Sequence, residues 1–199
     1  MKRFLSLLVL GLFLAGCSGL IPAPQTDPTR YYVLTGPPLA PAAAGGHLRV
    51  GLHTVEIATY LKSPDMIVRQ GMNEIFLQDY ARWGEPLEAG IGRILRDRLR
   101  TATAVERVYP QPFPLDAERD VDVTVTVVRC EGGNGPRVAR FAATIELTKP
   151  SDGSLLARRT FVAPDAAWDG KNFDALAGLL SADVDALGRE IVAALPGGS

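Results

Sequence analysis

Residues Val121 to Val128 read Val-Asp-Val-Thr-Val-Thr-Val-Val, and this run narrows the choice of fold more than any other stretch. β-Branched side chains are stiff at χ1 and pack well on a pleated surface, so the run predicts a strand with a buried face. Glu131 to Pro136 is glycine-rich and predicts a hairpin loop after it. Arg137 to Thr148 alternates apolar and polar residues for most of its length, Pro150-Ser151-Asp152-Gly153 has turn chemistry, and Leu155 to Val162 predicts a third strand. Short connections of this kind argue for antiparallel pairing.

Two helical patterns frame this meander. Leu87, Ile91, Ile94, Leu95 and Leu99 recur at helical spacing after Pro86, whose missing N–H suits a first turn. Phe173, Leu176, Leu180, Val184, Leu187, Ile191 and Leu195 form a second stripe, ended by Pro196-Gly197-Gly198. Upstream, Arg30 to Thr35 and Val105 to Tyr109 predict short strands. Leu48 to Ile57 predicts one strand bulged near His53, where its alternation shifts by one. Met66–Gln70 and Glu74–Gln78 flank Gly71-Met72-Asn73 as a hairpin. The expected fold is α+β: a mostly antiparallel sheet with two helices packed on one face. One domain over 30–196 accounts for the folded length.

The N-terminus carries a different message. Met1-Lys2-Arg3 is a positive start, and Phe4 to Leu14 is apolar apart from Ser6. About eleven apolar residues are too few to span a bilayer, which takes ~20, and they read as the core of a secretory signal. Leu14-Ala15-Gly16-Cys17 resembles a lipobox, which implies a signal over 1–16, cleavage between Gly16 and Cys17, and acylation of the Cys17 thiol. Ser18 in place of Asp after the cysteine implies sorting to the outer membrane. Residues 17–29 hold Pro22, Pro24 and Pro28 and read as an extended tether. With Cys17 lipidated, Cys130 has no partner for a disulfide and reads as a half-buried strand thiol.

Removing Lys2 and Arg3 with the signal takes the formal charge from −1 to −3, and no long basic run remains. Nucleic-acid binding, which needs clustered Lys and Arg, is not expected. Gly132-Gly133-Asn134-Gly135 joins two strands, whereas a phosphate cradle needs a helix after it. His47 and His53 lack metal-ligand spacing, and no Gly-x-Ser-x-Gly elbow is present, although a triad on His53 could assemble in space. The pairs Asp120/Asp122 and Asp183/Asp185 read as solvated charges. Arg93, Arg96 and Arg100 share one helix side, either as a solvated face or as a contact for an acidic partner or anionic lipid. No catalytic residue, metal or cofactor is called for.

Ile57 to Arg69, containing Tyr60-Leu61-Lys62-Ser63-Pro64, is followed by Tyr80-Ala81-Arg82-Trp83-Gly84-Glu85-Pro86-Leu87. With Arg30-Tyr31-Tyr32-Val33-Leu34 before them, these blocks resemble the PqiC/YmbA family of ABC-type transport auxiliary lipoproteins. The resemblance implies a non-enzymatic, periplasm-facing lipoprotein anchored to the outer membrane. Its implied partners are a PqiB-like tunnel protein with mammalian-cell-entry (MCE) domains, ABC transporter subunits for lipid traffic, and further copies of the chain in a homo-oligomeric ring. Pro64 would fix a turn and Trp83 cover the core, with Tyr60, Leu61 and Trp83 as candidate partner contacts. The alternatives are a lipid-tethered periplasmic hydrolase using His53, or an outer-membrane assembly lipoprotein of another system.

Overall fold

The structure, a computed structural model, describes residues 26–38, 41 and 45–197. Gly16 and Cys17, the signal and most of the tether lie outside the described residues. The elements run β1 (Arg30–Tyr32), β2 (Leu48–Leu52), β3 (Glu56–Ile57), a 3-10 turn (Thr59–Lys62), β4 (Asp65–Arg69), β5 (Ile75–Trp83), α1 (Leu87–Arg100), β6 (Val105–Pro110), β7 (Val121–Asn134), β8 (Arg137–Thr148), β9 (Leu155–Val162), β10 (Ala166–Ala167) and α2 (Phe173–Ala194).

β7 is the hub. Along one edge it pairs antiparallel with β8, from Asp122↔Thr148 to Asn134↔Arg137. Along its other edge β2, β3 and β4 follow one another, all parallel to it. β1 is parallel to β5, and β2 to β6. The described strands form one mixed sheet, which corrects the mostly antiparallel expectation. The reason is range. Short turns announce antiparallel neighbours in sequence, whereas parallel neighbours need long crossovers and leave no local mark. The expected bulged strand over Leu48–Ile57 is also two strands. His53 and Ala58 still donate to the Val123 and Val127 carbonyls, but between them Thr54 turns its N–H to the Gln111 side chain, 3.0 Å away.

Val121, Val123, Val125 and Val127 are buried while Thr124 and Thr126 are half-buried, so the valines form the core side. A bulge at Val128 then exposes that side chain and moves the core side to Cys130 and Gly132, which meet α2. A one-residue insertion does this because side-chain direction alternates with period 2. Glu131 is thereby turned to the opposite face. The glycine-rich segment is strand as far as Asn134, leaving only Gly135-Pro136 to turn.

α1 buries its predicted stripe, Leu87, Ile91, Ile94, Leu95 and Leu99, and α2 buries Leu176, Leu180, Val184, Leu187 and Ile191 of its own, while the predicted Phe173 is half-buried and Leu195 is buried just past the helix end. The two helices pack together at Gly188, where an added Cβ would lie 2.9 Å from Arg98. The Arg98 guanidinium binds Asp185 across the same contact. Asn172 caps α2 by accepting from the Ala175 N–H at 3.1 Å. Among the described residues no helix is long and apolar enough to cross a membrane.

Candidate functional site

The two sequence blocks singled out above meet in space. Tyr60 and Leu61 lie in the 3-10 turn, and Pro64 leads into β4. The Pro64 carbonyl accepts from the Trp83 N–H at 2.7 Å, and the Tyr32 carbonyl accepts from Gly84 at 2.7 Å. Leu61 and Trp83 are both buried in the core. Together with Lys62, Pro64, Gly84, Pro86 and Leu87 they wall a shallow cleft of about 370 Å³, rimmed by Glu85 and Glu88. Ser63 also lines the cleft, its hydroxyl donating to Asp65 Oδ2 at 3.0 Å, and no histidine is among the described lining residues.

Tyr60 is half-buried and serves a different contact. Its hydroxyl donates to Glu131 Oε2 at 3.0 Å. Arg69 holds the same carboxylate with two N–H groups, at 2.5 and 3.0 Å, and donates a third to the Met72 carbonyl at 3.0 Å. The Glu131 side chain has no solvent exposure. Burial, then the Glu131 charge, pushes the Tyr60 hydroxyl up to about 12, so it stays protonated and donates. The Glu131 carboxylate in turn raises Arg69 further above its ordinary value. This is a satisfied charge network that locks the 3-10 turn, β4 and β7 together. Sequence inspection missed it, because Glu131 sat in a predicted loop and Arg69 in a hairpin. The signal available was a carboxylate three residues beyond a β-branched run.

The acidic pairs are not solvated as expected. Asp120 takes the Arg49 guanidinium at 2.8 and 3.0 Å, which holds its carboxyl below the usual range. Asp122 is buried and takes Arg119 at 2.7 and 3.2 Å. His53 Nε2 lies 3.6 Å from Asp122 Oδ2, and its ring edge meets Phe113 at 4.9 Å. The cleft beside His53 is about 200 Å³ and is lined by Thr54, Glu88, Arg93, Arg96 and Gln111, with no serine or cysteine among the described lining residues. Arg93 is committed to the Leu34 carbonyl at 2.9 Å and to Glu85 at 2.5 Å, so part of the arginine face holds the fold. Among the described residues no group of His, Cys, Asp and Glu is placed to hold a metal.

Cys130 is fully buried, more so than its sequence position suggests, and burial followed by the charges of Asp183 and Glu131 pushes its thiol up. Asp183 is half-buried with Oδ2 unpartnered, and burial pushes its carboxyl from 3.8 up to about 6. The folded state therefore binds this proton more readily than the unfolded chain. The linked contribution to stability is favourable below the unfolded value and falls as pH rises through about 6. Asp183→Asn is expected to stabilise by about 1–2 kcal/mol at about pH 8, after discounting for partial exposure, and by almost nothing at about pH 4. Urea denaturation at both pH values checks this; an equal gain at both would show that the charge is not the cause.

A family model described as "ABC-type transport auxiliary lipoprotein component" matches residues 32–192. No curated protein matches the chain. Among solved structures, protein XCC0632 from Xanthomonas campestris, assigned to the DUF330 family model, is 17% identical at a TM-score of 0.68, covering 82% of this chain and 92% of that one. A second crystal structure, of an uncharacterised protein, is 15% identical at a TM-score of 0.66, covering 82% and 95%. At these identities the likeness is one of fold.

Proposed function

The chain belongs to the ABC-type transport auxiliary lipoprotein family, and from that premise we propose that it is a non-catalytic docking subunit of an intermembrane lipid transport system. It sits on the periplasmic face of the outer membrane through acyl chains on Cys17, and it receives the end of an MCE-domain tunnel protein whose ABC transporter lies in the other membrane. A ring of identical copies would give such a tunnel a continuous collar. The observation carrying this reading is that the two family blocks, Tyr60–Pro64 and Trp83–Leu87, supply core packing and main-chain bonds where they meet. Tyr60 is locked onto Glu131, and Ser63 Oγ is tied into its own turn, donating to Asp65 Oδ2 at 3.0 Å and accepting from the Asp65 N–H at 3.2 Å. A family signature used this way suits a protein whose task is to present a rigid surface.

Acylation supplies the attachment. Each buried methylene contributes about 0.8 kcal/mol, so one chain holds marginally and two or three hold firmly. Cys17→Ser removes the thiol and is expected to abolish acylation and processing at Gly16, read as loss of acyl mass and loss from the outer-membrane fraction. The same lipidated chain, pulled from detergent extract, is expected to bring down an MCE-domain protein. Recovery instead with the machinery for lipopolysaccharide or β-barrel insertion would reject the transport reading, as would hydrolytic activity lost in His53→Ala.

A further inference from the structure

We propose that the hairpin of β4 and β5 rests its apolar tip in the membrane to which Cys17 is anchored. This rests on the lipidation reading above and adds a second contact to it. Met72 at the tip is 90% exposed, and Phe76, Leu77 and Tyr80 on β5 are all about half exposed or more. Tyr31 on the neighbouring β1 is 64% exposed. Scattered apolar residues on a surface need no explanation, but these lie on one hairpin and the strand beside it.

Chain direction selects the occupant. β1 runs parallel to β5, with Arg30 opposite Ala81 and Tyr32 opposite Trp83. β5 begins at the hairpin tip and ends at its base, so β1 comes from the tip side. The tether therefore reaches the domain from the side to which the tip points. Residues 18–29 span at most about 43 Å when extended, so the bilayer holding Cys17 is within reach of the tip. The other long exposed strand, β9, runs in the same direction as β4, so Val162 lies towards the tip end, but Leu155 and Leu156 lie at the opposite end and Arg158 and Arg159 guard the strand between.

The depth of contact follows from the backbone. β1 pairs with Ala81–Trp83, so among the described residues the edge of β5 from Ile75 to Tyr80 has no strand partner on that side. Unpaired N–H and C=O groups are costly in hydrocarbon, and Glu74 and Asp79 are exposed beside them. The tip thus sits at the boundary of headgroups and acyl chains, where water still reaches the edge and where tyrosine rings are at home.

The test uses the lipidated full chain in phosphatidylethanolamine–phosphatidylglycerol vesicles with brominated acyl chains. Phe76→Trp and Met72→Trp place probes on the hairpin, and Leu155→Trp, at the end of β9 away from the tip, is the control. Trp83 and Trp168 are buried and give the wild-type baseline. Hairpin emission is expected to fall about twofold with bromine while the control stays at baseline, as a contact in the outer 5–10 Å of the bilayer requires. Met72 contacts little, so its variant keeps the test open if Phe76→Trp folds poorly. Unquenched hairpin probes, or equal quenching of the control, would overturn the proposal. A blue shift without quenching would overturn it too, by placing the tip against a second copy. Intact mass separates the two readings: acylated protein with unquenched probes overturns the hairpin contact alone, and unacylated protein overturns both.

Discussion

Arg69→Met is expected to destabilise the domain by about 3–5 kcal/mol, the cost of leaving a buried charge without its partner. Glu131 would keep only the Tyr60 hydroxyl, with Arg129 Nε 3.8 Å away on a half-exposed side chain. The pair itself need not add much net stability, because removing both charges from water is expensive. Arg69→Met combined with Glu131→Met is therefore expected to recover most of the loss. Urea denaturation of the two variants decides the matter. A single variant within about 1 kcal/mol of wild type, or a double variant no better than the single, would mean that the network does not lock the turn to the sheet.

That network marks where sequence inspection stops. The two helices were legible because their stripes repeat within a few residues, and every core position of α2 from Leu176 to Ile191 is buried as the spacing predicts. The β7–β8–β9 meander was legible for the same reason: its turns are local. The parallel half was not. β2 and β7 are joined through β5 and α1, and no side-chain pattern states that Val50 will lie beside Val121. The consecutive Val127-Val128 did break the alternation, and that break is the bulge that turns Glu131 away from the helices. Of the candidate contacts, Leu61 and Trp83 lie in the core and Tyr60 is bound to Glu131. The exposed apolar residues stand instead on the adjoining hairpin, at Met72, Phe76, Leu77 and Tyr80, among strand positions whose alternation does not tell an inward face from an outward one.

Gly132 shows how a residue type can mislead and still be decisive. Its neighbours made it look like part of a turn, yet it sits in β7 beneath an indole. A Cβ there would lie 2.7 Å from Trp168 Cζ3 and 3.1 Å from Leu176 Cδ2. Trp168 cannot simply swing aside. It is buried, its Nε1–H donates to the Asn172 carbonyl at 2.7 Å, and its ring packs on Phe173 at 5.5 Å. Asn172 is also the residue that caps α2, so moving the indole loosens the start of that helix. Gly132→Ala is expected to cost about 2–3 kcal/mol, at the upper end of ordinary overpacking. The contrast is Gly178, exposed on α2 with nothing within 4 Å of an added Cβ. Gly178→Ala should stabilise by about 0.5–1 kcal/mol, because only the backbone entropy term changes. If the steric account is right, Trp168→Leu should be nearly additive with Gly178→Ala but should offset much of the Gly132→Ala loss, since a smaller side chain vacates the space that the new methyl needs. Thermal or urea unfolding of the three single variants and the two pairs reads this directly. Full additivity between Gly132→Ala and Trp168→Leu would leave the contact without an energetic role.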